Sequence, residues 1–138
     1  MPILRQLLPV LAAVLLAACA GVPMRGTGDL GLVVERASGH VTLVNTSTRS
    51  AYARIGGLGD LSHASVVFSR DARYAYVFGR DGGLSKVDLL EERLVKRVMQ
   101  SGNAIGGSIS QDGRLVVAQN YTPGGIKAFD AETLELLS

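Results

Sequence analysis

Cysteine is all but missing from this chain: Cys19 is the single example in 138 residues. One thiol excludes an internal disulfide framework, and without a Cys-x-x-Cys-His there is no attachment point for a covalent c-type haem. Charge of one sign is missing as well. Apart from Arg5, thirteen Lys and Arg face twelve Asp and Glu. That near-balance provides no basic stripe, so nucleic acid is not an expected partner. Eleven of the 14 basic residues are arginines. A GC-rich genome explains that bias first; bidentate capture of carboxylates, which arginine suits, is the second explanation. Long apolar runs are lacking too. The run from Leu7 to Ala18 is interrupted by Pro9 and falls short of the roughly 20 residues that span a bilayer as a helix.

That short run has another use. A positive Arg5, an apolar stretch and the small-residue ending Leu16-Ala17-Ala18-Cys19 form the pattern of a lipoprotein signal peptide. An ordinary signal peptide with an incidental cysteine is the alternative. The lipoprotein reading predicts removal of residues 1–18, a lipidated Cys19 with a linker over 19–27, and a folded body over 28–138. Export to the periplasm with a membrane tether follows. Ala20 follows the cysteine, so the aspartate typical of inner-membrane retention is missing and outer-membrane sorting is allowed.

The body repeats itself. Gly39-His40-Val41-Thr42-Leu43-Val44-Asn45 matches Gly82-Gly83-Leu84-Ser85-Lys86-Val87-Asp88, and both match Gly124-Gly125-Ile126-Lys127-Ala128-Phe129-Asp130, at offsets of 43 and 42. Phe68-Ser69-Arg70-Asp71-Ala72-Arg73 and Ile109-Ser110-Gln111-Asp112-Gly113-Arg114 lie 41 apart. A period of about 40 to 45 residues with four strand-like runs per unit is the mark of β-propeller blades. One blade reads as strands Ser65–Ser69, Arg73–Phe78, Leu84–Leu89 and Arg93–Met99, with Tyr74, Tyr76 and Phe78 on one face and Ala75 and Val77 on the other. The next reads as Gly107–Ser110, Arg114–Gln119, Ile126–Asp130 and an incomplete last strand; the preceding blade is seen from about Leu30. Nothing resembles a helix. The fold class is therefore all-β, a partial propeller. Fewer than three repeats fit here, whereas propellers close with about four to eight blades. The expectation is an N-terminal part of a longer propeller, or assembly with other chains.

Up-and-down strand order sorts the loops onto two ends. Ser38–His40, Gly56–His63, Gly79–Gly83, Ser101–Asn103 and Asn120–Gly125 fall at one end. Thr46–Arg49, Arg70–Ala72, Glu91-Glu92 and Gln111–Gly113 fall at the other, an ordinary solvated set. The first end is glycine-rich and holds both histidines, Arg80, Asn103, Asn120 and Tyr121. His63, just before an innermost strand, should stand near the central channel. An imidazole there with an arginine nearby suits an iron tetrapyrrole, nitrogen to the metal and guanidinium to a carboxylate. Asp60 is placed to orient that imidazole through its other nitrogen. Each residue also has a plainer reading: His63 as a structural hydrogen-bonder, Arg80 as a turn residue, Tyr121 as packing, and His40 as a solvent-exposed side chain.

The segment Ser62-His63-Ala64-Ser65, Tyr74 through Gly82 (with Gly79-Arg80-Asp81-Gly82) and Lys86-Val87-Asp88-Leu89 resembles the haem d1 propeller of cytochrome cd1 nitrite reductases. It resembles more closely the haem d1 biosynthesis lipoproteins of that family. Gly26-Thr27-Gly28-Asp29-Leu30 and Asn120-Tyr121 share in the likeness. The resemblance implies an eight-bladed propeller, of which this chain supplies about three blades. It implies His63 as the axial ligand of the iron, Arg80 as a clamp on a macrocycle carboxylate, and Asn120 and Tyr121 as further cofactor contacts. The implied cofactor is haem d1 or a dihydro-haem d1-like precursor, held non-covalently. The implied role is the final conversion of that precursor in denitrification, an oxidoreductase-type modification of a tetrapyrrole with catalytic residues unassigned. Implied partners are cytochrome cd1 nitrite reductase, other haem d1 assembly proteins and the membrane. The missing Cys-x-x-Cys-His weakens the reductase reading. A non-catalytic haem d1 carrier, the haem d1 domain of a nitrite reductase, and a plain scaffold propeller are the alternatives.

Overall fold

The computed structural model describes residues 26–138; the signal segment and Cys19 lie outside the described residues. The described chain is ten strands in three antiparallel sheets, with no helix. The first sheet holds β1 (Leu30–Glu35), β2 (His40–Asn45) and β3 (Ser50–Ile55) in that order. The middle sheet holds β4 (Ser65–Phe68), β5 (Tyr74–Phe78), β6 (Gly83–Asp88) and β7 (Arg93–Met99). The third holds β8 (Asn103–Ile109), β9 (Leu115–Thr122) and β10 (Gly124–Asp130). A bridge from Phe129 to Leu136, with Leu137 N–H donating to Ala128 O at 2.8 Å, begins a fourth strand there. These are blades of a partial β-propeller, and the repeated segments are β2, β6 and β10.

The second repeated segment recurs because it builds a turn. Ser69 Oγ donates to Asp71 Oδ1 at 2.6 Å, and Asp71 Oδ1 accepts the Arg73 amide at 3.1 Å. The Tyr74 amide then returns to Ser69 Oγ at 2.9 Å. Ser110, Asp112, Arg114 and Leu115 reproduce all three bonds at 2.6, 3.0 and 2.9 Å. The turn needs a left-handed residue after the aspartate. Gly113 supplies it at φ 75°, but Ala72 adopts φ 56° in the other copy. An L-residue there costs about 1–2 kcal/mol. Ala72→Gly should therefore raise stability by about 0.5–1 kcal/mol, read as a higher thermal midpoint; a lower midpoint would contradict the account.

Burial follows strand alternation. Ala75 and Val77 point into a core shared with Val41, Leu43, Ile55, Leu58 and Leu61, while Tyr76 and Phe78 point into one shared with Val116, Ala118, Phe129 and Leu134. The middle sheet is thus buried on both faces. Its first two strands pack on β8 through glycines: a Cβ at Gly107 would meet the Phe78 ring of β5 at 2.5 Å, and one at Gly106 would meet Ser65 Oγ of β4 at 2.9 Å. Strand β8 is longer than the expected Gly107–Ser110, carrying register shifts at Asn103/Ala104 and Ala104/Gly106. A second correction concerns Asn120–Gly125, expected as a loop. Gly124 pairs with Tyr121 and Gly125 with Asn120, leaving Pro123 at the tip, where no amide donor is needed.

Several carboxylates are held ionised. Arg54 grips Glu35 through Nε–Oε1 at 2.9 Å and Nη2–Oε2 at 2.7 Å, with Thr42 and Ser38 adding hydroxyl donors. Those bonds, Arg54 first, lower Glu35 from 4.5 to about 2. Asp71 and Asp112 are lowered chiefly by the Ser69 and Ser110 hydroxyls, and Asp130 by the Thr133 amide. A carboxylate with a depressed folded pKa stabilises the fold above its unfolded value and loses that contribution as pH falls through the folded one. Urea midpoints should therefore hold above about pH 5 and fall steadily from about pH 4.5 towards 2. A flat profile over that range would refute it.

Candidate functional site

Leu58 and Leu61 are driven into the core between the first two sheets, and this fixes the connection from β3 to β4. Gly57 and Gly59 take φ 82° and 77° on either side of Leu58 and let the chain turn there. The remaining residues of the connection, Asp60, Ser62 and His63, stay at the surface. Asp60 is bound at three points. Its carbonyl accepts the Arg80 amide at 2.8 Å, its amide donates to Asp81 Oδ2 at 3.1 Å, and its Oδ1 accepts the Ser62 amide at 2.8 Å. The His63 loop and the Arg80 turn are therefore joined at the same end of the sheets. Ser62 chiefly, with smaller contributions from the Arg80 and His63 charges, holds the Asp60 carboxyl below its ordinary range.

Among the described residues, neither the imidazole of His63 nor the guanidinium of Arg80 has a hydrogen-bond partner, and both are exposed. Asp60 Oδ1 serves Ser62 and not the ring, so it contributes charge near the imidazole, and the expected orienting bond is not made. Close by, the first residues of the two innermost strands carry side-chain oxygens shut off from water without a partner: Ser65 Oγ and Asn103 Oδ1. Ala104, next to Asn103, donates its amide to Arg80 O at 3.4 Å.

The other expected site residues are placed differently. Asn120 is buried, and its amide pairs reciprocally with Gln100: Nε2 to Asn120 Oδ1 at 2.7 Å and Nδ2 to Gln100 Oε1 at 2.8 Å. Both polar ends are thus turned to the β7–β8 connection. Tyr121 is 63% exposed and, one 41-residue repeat after Arg80, holds the corresponding place in the third blade. His40 departs from the solvent-exposed expectation. It is half-buried; Nδ1–H donates to Ser38 O at 2.6 Å and its ring lies against Gly56. At the opposite end, a cleft of about 500 Å³ lies among Arg70, Asp71, Asp112, Arg114 and Glu132, where Asp71 and Asp112 already serve the turns.

The cytochrome D1 heme domain profile matches residues 25–138. The chain belongs to that family. Protein NirF of Stutzerimonas stutzeri is 64% identical over 98% of this chain and 34% of its own length. Protein NirF of Pseudomonas aeruginosa is 58% identical with the same coverage. Among solved structures, the dihydro-heme d1 dehydrogenase NirN in complex with DHE superposes with a TM-score of 0.78 at 30% identity, covering 86% of this chain and 26% of that one. The chain spans about a third of the length of the curated relatives it matches. The sequence singles out His63 and Arg80 as candidates and puts Asn103 at the same end, but gives no sign of Gln100 or of Arg97; the latter reads in the sequence as one more charge on a solvated strand.

Proposed function

We propose that this chain forms part of a haem d1 assembly protein that holds a late iron-tetrapyrrole precursor, dihydro-haem d1-like, non-covalently. One observation carries the reading: the Arg80–Asp60 backbone bond brings an unpartnered imidazole and an unpartnered guanidinium to one rim. A single imidazole is the protein ligand for a metal whose other donors arrive in a macrocycle, and a guanidinium fits a peripheral carboxylate bidentately. Among the described residues no three His, Cys, Asp or Glu converge as a metal cage. The shielded oxygens of Ser65 and Asn103 leave hydrogen-bonding capacity for polar edges of a ring or for bound water. The NirF and NirN likenesses favour this ligand class.

A bound tetrapyrrole of this kind supplies the redox-active iron and the conjugated ring. His63 would ligate the metal and Arg80 would fix the ring's orientation through a carboxylate, with Asp60 adding negative charge beside the imidazole. Titrating the intact protein with dihydro-haem d1 and following the visible spectrum tests this. A chemically changed macrocycle under turnover supports conversion; a shifted but unaltered pigment reduces the role to a carrier. No spectral response refutes tetrapyrrole binding.

We further infer export and anchoring through lipidated Cys19, supported by the leader pattern. Cys19→Ala should move the protein from the membrane fraction to the soluble fraction, as lipid attachment supplies the membrane affinity. An unchanged distribution on fractionation would end that part of the reading.

A further inference from the structure

The His63 loop and the Arg80 turn are held together from the outer edge of the middle sheet. Arg97, in β7, donates Nε to Leu58 O at 3.1 Å and Nη2 to Asp81 Oδ2 at 2.6 Å, while Nη1 meets Met99 Sδ at 3.0 Å. The same Asp81 takes the Asp60 amide on Oδ2 at 3.1 Å and the Gly83 amide on Oδ1 at 3.0 Å. One guanidinium thus grips the loop five residues before His63 and the carboxylate next to Arg80. The pair is mostly out of water, with side-chain exposures of 21% and 31%, so it is less screened than a surface ion pair.

The backbone is cleared for this clasp. A Cβ at position 59 would stand 2.2 Å from Asp81 Oδ2 and 2.3 Å from Arg97 Nη2, and one at position 83 would stand 2.2 Å from Arg97 Nη2. Glycine at both positions lets the ion pair pass between the two loops. A ligand meeting both His63 and Arg80 demands a fixed spacing between them, because small misplacements of a binding group cost heavily.

We propose that Arg97 and Asp81 are positioning residues that set the spacing between the His63 imidazole and the Arg80 guanidinium without touching the ligand. This rests on the tetrapyrrole reading above. The test uses ferric protoporphyrin IX and its dimethyl ester, whose carboxylates are blocked, titrated into the intact protein. Wild type should prefer the free acid by about tenfold, the size of one charge-assisted contact, and Arg80→Ala should abolish that preference. Arg97→Met and Asp81→Asn should bring it within about threefold of unity, with Arg80 and His63 still present and the His63–iron spectrum broadened into a mixture. Arg97→Lys should fall between, since an ammonium cannot hold Leu58 O and Asp81 in the fork geometry.

A loss of thermal stability alone, with the preference intact in both Arg97→Met and Asp81→Asn, overturns the positioning role and leaves the site reading standing. Wild type that binds neither pigment, or shows no preference removed by Arg80→Ala, overturns both together.

Discussion

His63→Ala is expected to abolish the nitrogen–iron signature of a bound ferric tetrapyrrole and to weaken binding by at least the roughly 10- to 100-fold typical of losing even an outer-shell partner of a metal ligand. Folding should hardly change. His63 is exposed, and the loop is anchored by Leu58, Leu61 and the Asp60 bonds, so the substitution should stay within about 0.5 kcal/mol of wild-type stability. Spectral titration and thermal unfolding of the same sample separate the two effects. His40→Ala is the control with the opposite pattern: it removes the Nδ1–Ser38 bond and the contact with Gly56, so it should cost stability while leaving iron ligation in place. A bound-iron spectrum unchanged in His63→Ala would remove that residue from the site.

The blade period was legible because it is written in residues with local jobs. Ser69 and Asp71 recur as Ser110 and Asp112 because each pair closes the same three-bond turn. The shared end of His63 and Arg80 was legible because antiparallel order alone decides which loops lie together, and the Asp60–Arg80 bond makes the join. Strand β8 was harder to read. Gly106 and Gly107 signal a break, yet they are there to admit Ser65 and Phe78 from the neighbouring blade. The Asn120–Gly125 stretch was misleading for a similar reason, its composition being that of a loop while its main chain stays paired around Pro123. Arg97 could not be singled out, because its partners lie 39 and 16 residues away and only the folded sheet brings them within reach. Gln100 and Asn120 meet across 20 residues in the same manner.

Lys86→Ala should be among the most damaging single changes in the described chain, at about 2–4 kcal/mol. The side chain is buried at 1% exposure. Its ammonium donates to Glu132 O at 2.8 Å, pairs with the Glu132 carboxylate at 3.1 Å and lies 4.2 Å from the centre of the Tyr74 ring. It is one of three donors from the middle blade that take three successive carbonyls of the third: Tyr76 Oη to Ala131 at 2.8 Å and Lys96 Nζ to Thr133 at 2.7 Å complete the row. Alanine and methionine both leave the Glu132 carbonyl without its donor, and alanine also removes the apolar stem from the seam. Methionine keeps most of the stem and deletes the buried charge. Removing such a charge returns its desolvation cost, so Lys86→Met should stay within about 1.5 kcal/mol of wild type. The contrast identifies the source of the stability. If urea midpoints fall equally for both variants, the ammonium and its carbonyl bond hold the blades together; if alanine alone is damaging, the expected outcome, packing of the stem does.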